Sequence, residues 1–199
     1  MPKQVDHDER RRHIAEAVLR LASPEGLDRA RLRDVAAEAG ISLGSVQHYF
    51  RSKDEMVLYV VRHLGKRVTE RILSGMCEAP GTSRVRSILM SMATEMLPLD
   101  DQRRAERRAS RALTARAIDA PELIEELRQG DRWLHERVME LIEQGRRDGE
   151  LRPELDPALE AVALLAMIDG LGGDLLLGVR DPGETLAAIR YHLDRLGPP

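Results

Sequence analysis

The chain has 199 residues, 42% of them hydrophobic but only 3% aromatic, so an apolar core is affordable only from Ala, Leu, Val, Ile and Met. That bias favours an all-α fold over a sheet, and the single cysteine, Cys77, excludes an intrachain disulfide and fits a reducing, cytoplasmic setting. The net charge is -3, yet residues 1–67 hold 13 basic and 10 acidic side chains while the remainder holds 18 and 24, the balance of a protein that meets phosphates at one end only.

Residues 1–7 read as a polar tail with no secretory signal. A first helix is predicted over residues 8–22, where Ile14, Val18 and Leu21 recur at helical spacing; Pro24 and Gly26 then break the pattern. A short helix over residues 31–39 stops at Gly40. A third follows Ser42, a suitable N-cap, and ends near Tyr49. Ser52 and Glu55 have capping-box spacing and open a fourth helix running toward Leu73. After a break at residues 79–82, five helices are predicted over residues 83–97, 102–117, 122–147, 157–177 and 183–196, with Pro98, Pro121, Pro153, Pro157 and Pro182 at the joints. The expectation is about nine helices. Residues 8–53 form a helix-turn-helix domain, and residues 54–199 a helical dimerisation and effector domain whose residues 54–73 connect the two. The most apolar run, residues 158–179, contains Glu160, Asp169 and Asp174, which argues against a membrane span.

The informative stretch is residues 32–50. Ala36 leaves room where two helices cross over a short turn. Gly40 takes a left-handed backbone without steric cost, and Ile41 and Val46 fill the small core between the helices. This is the pattern of a helix-turn-helix, whose second helix enters the DNA major groove. On that helix Ser42, Ser45, Gln47 and His48 carry donors and acceptors for base edges or phosphates, Gln being a natural bidentate partner of adenine. Gly44 permits close approach of the sugar-phosphate backbone. Tyr49 and Lys53 are placed for phosphates, which fix register, although Tyr49 also suits packing against the first helix. Arg31 and Arg33 reach toward phosphate or base from the preceding helix.

Residues 8–67 resemble the DNA-binding domain of the tetracycline-repressor (TetR) family. The shared text is Arg33-Asp34-Val35-Ala36, Ala39-Gly40-Ile41-Ser42, Gly44-Ser45-Val46, His48-Tyr49-Phe50 and Ser52-Lys53-Asp54-Glu55. The resemblance implies a homodimer on a two-fold symmetric double-stranded DNA operator, usually a repressor released by a small molecule. The family often has Lys or Pro where this chain has Leu43, and Thr or Ser where it has Arg31. At Leu43 a common phosphate contact of the family is then missing, at Arg31 the usual N-cap is lost or moved, and both positions remain among the candidate DNA contacts. The C-terminal part more loosely resembles the choline-responsive, BetI-like branch through Leu97-Pro98-Leu99-Asp100, Arg103-Arg104-Ala105-Glu106 and Met167-Ile168-Asp169-Gly170-Leu171.

In the body, the helix over residues 157–177 is apolar nearly all round, and the last helix carries a stripe. Leu159, Val162, Ala166, Gly170, Gly173, Leu186, Ile189 and Leu193 are the candidate dimer interface, two helices per subunit forming a four-helix bundle. Candidate effector-pocket residues are Met90, Met96, Met139, Met167 and Trp133, each equally at home in a plain core, with Arg107 and Arg111. The Arg-rich sixth helix suits an anionic effector, but a solvated face paired to carboxylates is the more economical reading. Gly170, Gly172 and Gly173 follow no strand and make no nucleotide loop. His7, His13, His48, His63, His135 and His192 are scattered, with no zinc spacing, and no G-x-S-x-G elbow or P-loop occurs. An enzyme is therefore not expected, nor a metal or cofactor. An activator, or a DNA-binding dimer without effector, fits the same parts.

Overall fold

A computed structural model describes residues 2–25, 31–77 and 84–198. These form nine helices and no strand: α1 (Pro2–Glu25), α2 (Leu32–Glu38), α3 (Leu43–Tyr49), α4 (Lys53–Cys77), α5 (Arg84–Met96), α6 (Asp101–Ala117), α7 (Pro121–Arg147), α8 (Pro157–Leu177) and α9 (Pro182–Asp194). The predicted break at residues 79–82 lies outside the described residues. No helix among the described residues is long and apolar enough to cross a membrane. The first helix starts at Pro2, where a polar tail was expected. Its phase explains the extension: positions 7, 11, 14 and 18 share one face, and His7 and Arg11 find aromatic partners there, as Ile14 and Val18 find core.

The chain packs as two compact units, Met1–Arg67 with Ala105–Arg128, and Val68–Arg104 with Gln129–Pro199. This division cuts across the expected boundary at residues 53 and 54. Within the first unit α4 pairs with α6 and α7 through Asp54–Arg116 at 2.5 Å, Arg62–Glu126 at 2.8 Å and Arg67–Glu106 at 2.7 Å.

In the first unit, α1, α2 and α3 pack on one another. Ile14, Val18, Val35, Ala36, Val46, Phe50, Met56 and Val60 are its sealed core, and Ala109, Leu113 and Ala117 of α6 are equally buried. His13 Nε2–H donates to the Ala39 carbonyl at 2.8 Å, and Arg20 pairs with Glu38 at 2.5 Å, so α1 grips the end of α2 by two side-chain donors two turns apart. Arg11 lies over the rings of Phe50 and Tyr59, 4.6 and 4.7 Å from their centroids, and pairs with Glu55 at 2.7 Å.

The second unit is built on Leu89, Leu97, Ile142, Leu151, Leu164, Ile168 and Ile189, all nearly inaccessible. Helix α9 packs on α5 and α8. Asp156 caps α8 by accepting from the Ala158 and Leu159 N–H groups, with Pro157 as the first helical residue. Gly145 is required by space: a Cβ there would stand 2.7 Å from Leu151 Cγ.

Candidate nucleic-acid interface

Seven residues are too few for a helix to persist alone, so α3 depends on its ends and its one buried residue. Gly40 adopts φ +64°, in the left-handed region, and the Ile41 N–H returns to the Ala36 carbonyl at 2.9 Å, which turns the chain sharply out of α2. Ser42 then caps α3: its Oγ accepts from the Ser45 N–H at 3.0 Å and meets the Ser45 hydroxyl at 2.9 Å. Val46 is fully buried between the helices and Phe50 closes the far end. At the start of α2, where the family often has Ser or Thr, Arg31 has no capping hydroxyl; the Asp34 carboxylate accepts the Arg31 N–H at 3.1 Å and ties the turn from inside the helix. The Glu55 N–H donates to Ser52 Oγ at 3.0 Å, and the Glu55 carboxylate accepts the Arg51 N–H at 2.9 Å, so the predicted capping box closes one residue early.

The side of α3 turned from this core is open. Leu43, Gly44, Gln47 and His48 are exposed, Ser42 is exposed beside its cap, and Ser45 and Tyr49 are half-buried. Leu43 is 41% exposed, an apolar side chain held out at the leading turn. Gly44 faces open space: an added Cβ would meet nothing closer than Ser42 Oγ at 3.8 Å. The packing of the unit therefore does not demand glycine here. Arg31 and Arg33 are exposed on the adjoining helix, Arg33 in a loose 3.7 Å pair with Asp34, and Lys53 is half-buried at the first residue of α4. All ten candidate DNA contacts thus lie on α3, on the two helices flanking it, or at their caps, within one unit.

Two groups escaped the sequence reading. His7, assigned to the tail, packs its ring on Tyr49 with centroids 4.9 Å apart. Glu106, overlooked among the arginines of α6, is 6% exposed and receives Arg67. Arg67 also forks onto both oxygens of Glu16 at 2.6 and 2.7 Å, and His63 Nε2–H donates to the same carboxylate at 2.7 Å. Burial pushes the Glu16 carboxyl up, but the His63 hydrogen bond and the Arg67 charge outweigh it and hold the group below its usual 4.5.

The body candidates separate. Met90, Met96, Met139, Met167 and Trp133 are half-buried and packed against the core of the second unit. Arg107 and Arg111 belong to the first unit, where both have polar partners, so the seven do not form one cluster within a unit. The dimer-face residues need correction on α9. Ile189 and Leu193 are 0% and 1% exposed in the unit's own core and so are not available to a second subunit, while Leu186 is half-buried against that core. The outward side of α9 is Ala187, Arg190, Tyr191 and Asp194. On α8, Leu159, Val162, Ala166 and Gly170 are exposed, and Gly173 is half-buried.

Residues 14–60 match the family described as bacterial regulatory proteins, tetR family, and residues 85–198 match the BetI-type transcriptional repressor C-terminal family. The HTH-type transcriptional regulator PksA of Bacillus subtilis (strain 168) is 31% identical over 197 residues, covering 98% of this chain and 88% of that protein. Among solved structures, a transcriptional regulator from Rhodococcus sp. Rha1 superposes with a TM-score of 0.79 at 28% identity, over 94% of this chain and 95% of that one. A transcriptional regulator from Saccharomonospora viridis in complex with choline does so with a TM-score of 0.80 at 26% identity, over 94% of each. These relatives are regulators of transcription and not enzymes. With a helix-turn-helix at its head and a BetI-type body matched over more than half its length, the chain belongs to the TetR family of DNA-binding transcriptional regulators.

Proposed function

We propose that this regulator is a dimeric repressor whose two α3 helices read a two-fold symmetric operator and which a small molecule releases. Regulators of this family bind DNA operators and act as dimers. The observation that carries the finer reading is the outward side of α3, where Gln47, His48, Ser45 and Leu43 stand around a glycine that the protein's own packing does not require. In this reading Gln47 reads a base edge, Leu43 meets a thymine methyl or sugar, and Gly44 lets the backbone come close. Tyr49, Lys53, Arg31 and Arg33 hold phosphates and set register. The two α3 helices would enter successive major grooves, about 34–36 Å apart or a multiple of it.

The second subunit would cover Leu159, Val162, Ala166 and Gly170 of α8 with Tyr191 of α9. Leu159, Val162 and Tyr191 are 67%, 53% and 66% exposed, more apolar surface than an isolated subunit has reason to show. The effector would act through the second unit by preferring one conformer, with coupling of about 1–3 kcal/mol. Choline is a poor fit. A quaternary ammonium is held by several aromatic rings, whereas among the described Trp, Tyr and Phe residues of the second unit Trp133 is half-buried and Tyr191 is exposed. Trp133 with Met90, Met96, Met139 and Met167 favours an apolar, adaptable ligand site.

The test is to let the protein select duplexes from a randomised library and then to place the selected site before a reporter in a strain lacking the regulator. A palindromic site whose reporter falls on restoring the protein is expected. Selection of no site would remove the reading, and a reporter that rises would make it an activator.

A further inference from the structure

We propose that His7 is a positioning residue for DNA docking: from α1 it packs against the Tyr49 ring and fixes the phenol hydroxyl where a backbone phosphate meets the head. The inference rests on the reading of Tyr49 as a phosphate contact. Tyr49 is the last residue of α3 and is half-buried, so its own helix restrains the ring only in part. Two imidazoles supply the rest. His7 meets the ring at 4.9 Å between centroids with planes at 62°, and His48 meets it at 5.1 Å with planes at 80°, both edge-to-face arrangements that aromatic pairs prefer.

Both histidines are exposed, while the core beneath is already filled by Ile14, Val46 and Phe50. The His7 contact thus adds little to folding. What it does is bridge two helices across the surface and order a side chain before the ligand arrives, which lowers the entropy cost of binding. Position 7 reaches this place by phase, since it lies seven residues, two helical turns, before Ile14 on α1.

The experiment uses a duplex selected from a randomised library by the wild-type protein, with affinity measured for His7→Ala, His7→Phe, Tyr49→Phe and the double variant His7→Ala/Tyr49→Phe. His7→Ala should weaken binding by about three- to tenfold, the scale of an aromatic pair, with its thermal midpoint unchanged. His7→Phe, which keeps a ring but no N–H, should stay within about twofold of wild type. In the Tyr49→Phe background, His7→Ala should cost nothing further, because no hydroxyl is left to position. Wild-type affinity in His7→Ala, failure of His7→Phe to restore it, or an equal loss in the Tyr49→Phe background would each overturn the proposal. If Tyr49→Phe itself binds like wild type, the phosphate role of Tyr49 falls and this proposal with it. A wild type that selects no duplex instead defeats the operator reading.

Discussion

Arg67 serves two carboxylates at once, Glu16 on α1 and Glu106 on α6, and of the two only Glu106 is buried. Removing the guanidinium takes a cation away from that buried carboxylate, so Arg67→Ala should cost about 2–4 kcal/mol in chemical denaturation, whereas Arg67→Lys should recover part of it. Glu16 gives a second prediction. Its carboxyl is held below its ordinary value, so its contribution to stability is complete above that value and is lost as pH falls through the lowered one. Between about pH 5 and about pH 3, stability should fall less steeply in Glu16→Gln than in wild type, and identical slopes would deny Glu16 that role. Glu106 was legible in principle. Positions 106, 109, 113 and 117 make one helical face, three of them apolar, so a glutamate in that phase is a buried charge looking for a cation. Five neighbouring arginines surround it in sequence, and their charge masks its phase.

Helix α3 was read from sequence within a residue because each of its boundaries is chemical: a left-handed glycine, a serine cap and a buried valine. The same helix supports a prediction that separates folding from binding. At Gly44 an added methyl meets only Ser42 Oγ at ordinary contact distance, and alanine favours helix by roughly 1 kcal/mol over glycine. Gly44→Ala should therefore leave the thermal midpoint equal or higher while weakening affinity for a selected duplex, and equal affinity would show that DNA does not approach there. Helix α9 was read less well. The spacing of Leu186, Ile189 and Leu193 predicts a face for a partner, but an amphipathic stripe is claimed first by the subunit's own core, and α9 packs on α5 and α8. Sequence periodicity finds an apolar face without saying whose core it fills.

At the scale of the molecule, the sequence yielded helix number and chain order but not the way helices group. The charge balance that differs between residues 1–67 and the remainder marks a change of surface chemistry, whereas the ion pairs that tie α4 to α6 and α7 within the first unit lie 39 to 64 positions apart and leave no local trace. The exposed side of α8 and α9 predicts quaternary behaviour. Val162→Glu places a charge on the apolar surface around Leu159 and Ala166 without touching the buried Ala161, Leu164 or Leu165. It should shift the protein from dimer to monomer in sedimentation and cost most of its operator affinity, since one subunit then meets one half-site. A variant that remains a dimer would move the interface elsewhere.

The central claim is that the open side of α3 reads bases while its flanks hold phosphates. It is tested most directly by salt-dependent binding of Gln47→Ala and Lys53→Ala to a selected duplex and to versions with single base changes. Gln47→Ala should cost about 1–3 kcal/mol on the selected duplex and lose preference at one position of each half-site. Lys53→Ala should weaken all duplexes alike and flatten the dependence of log affinity on log salt by about one. Unchanged base preference in Gln47→Ala, together with an unchanged salt slope in Lys53→Ala, would contradict the account.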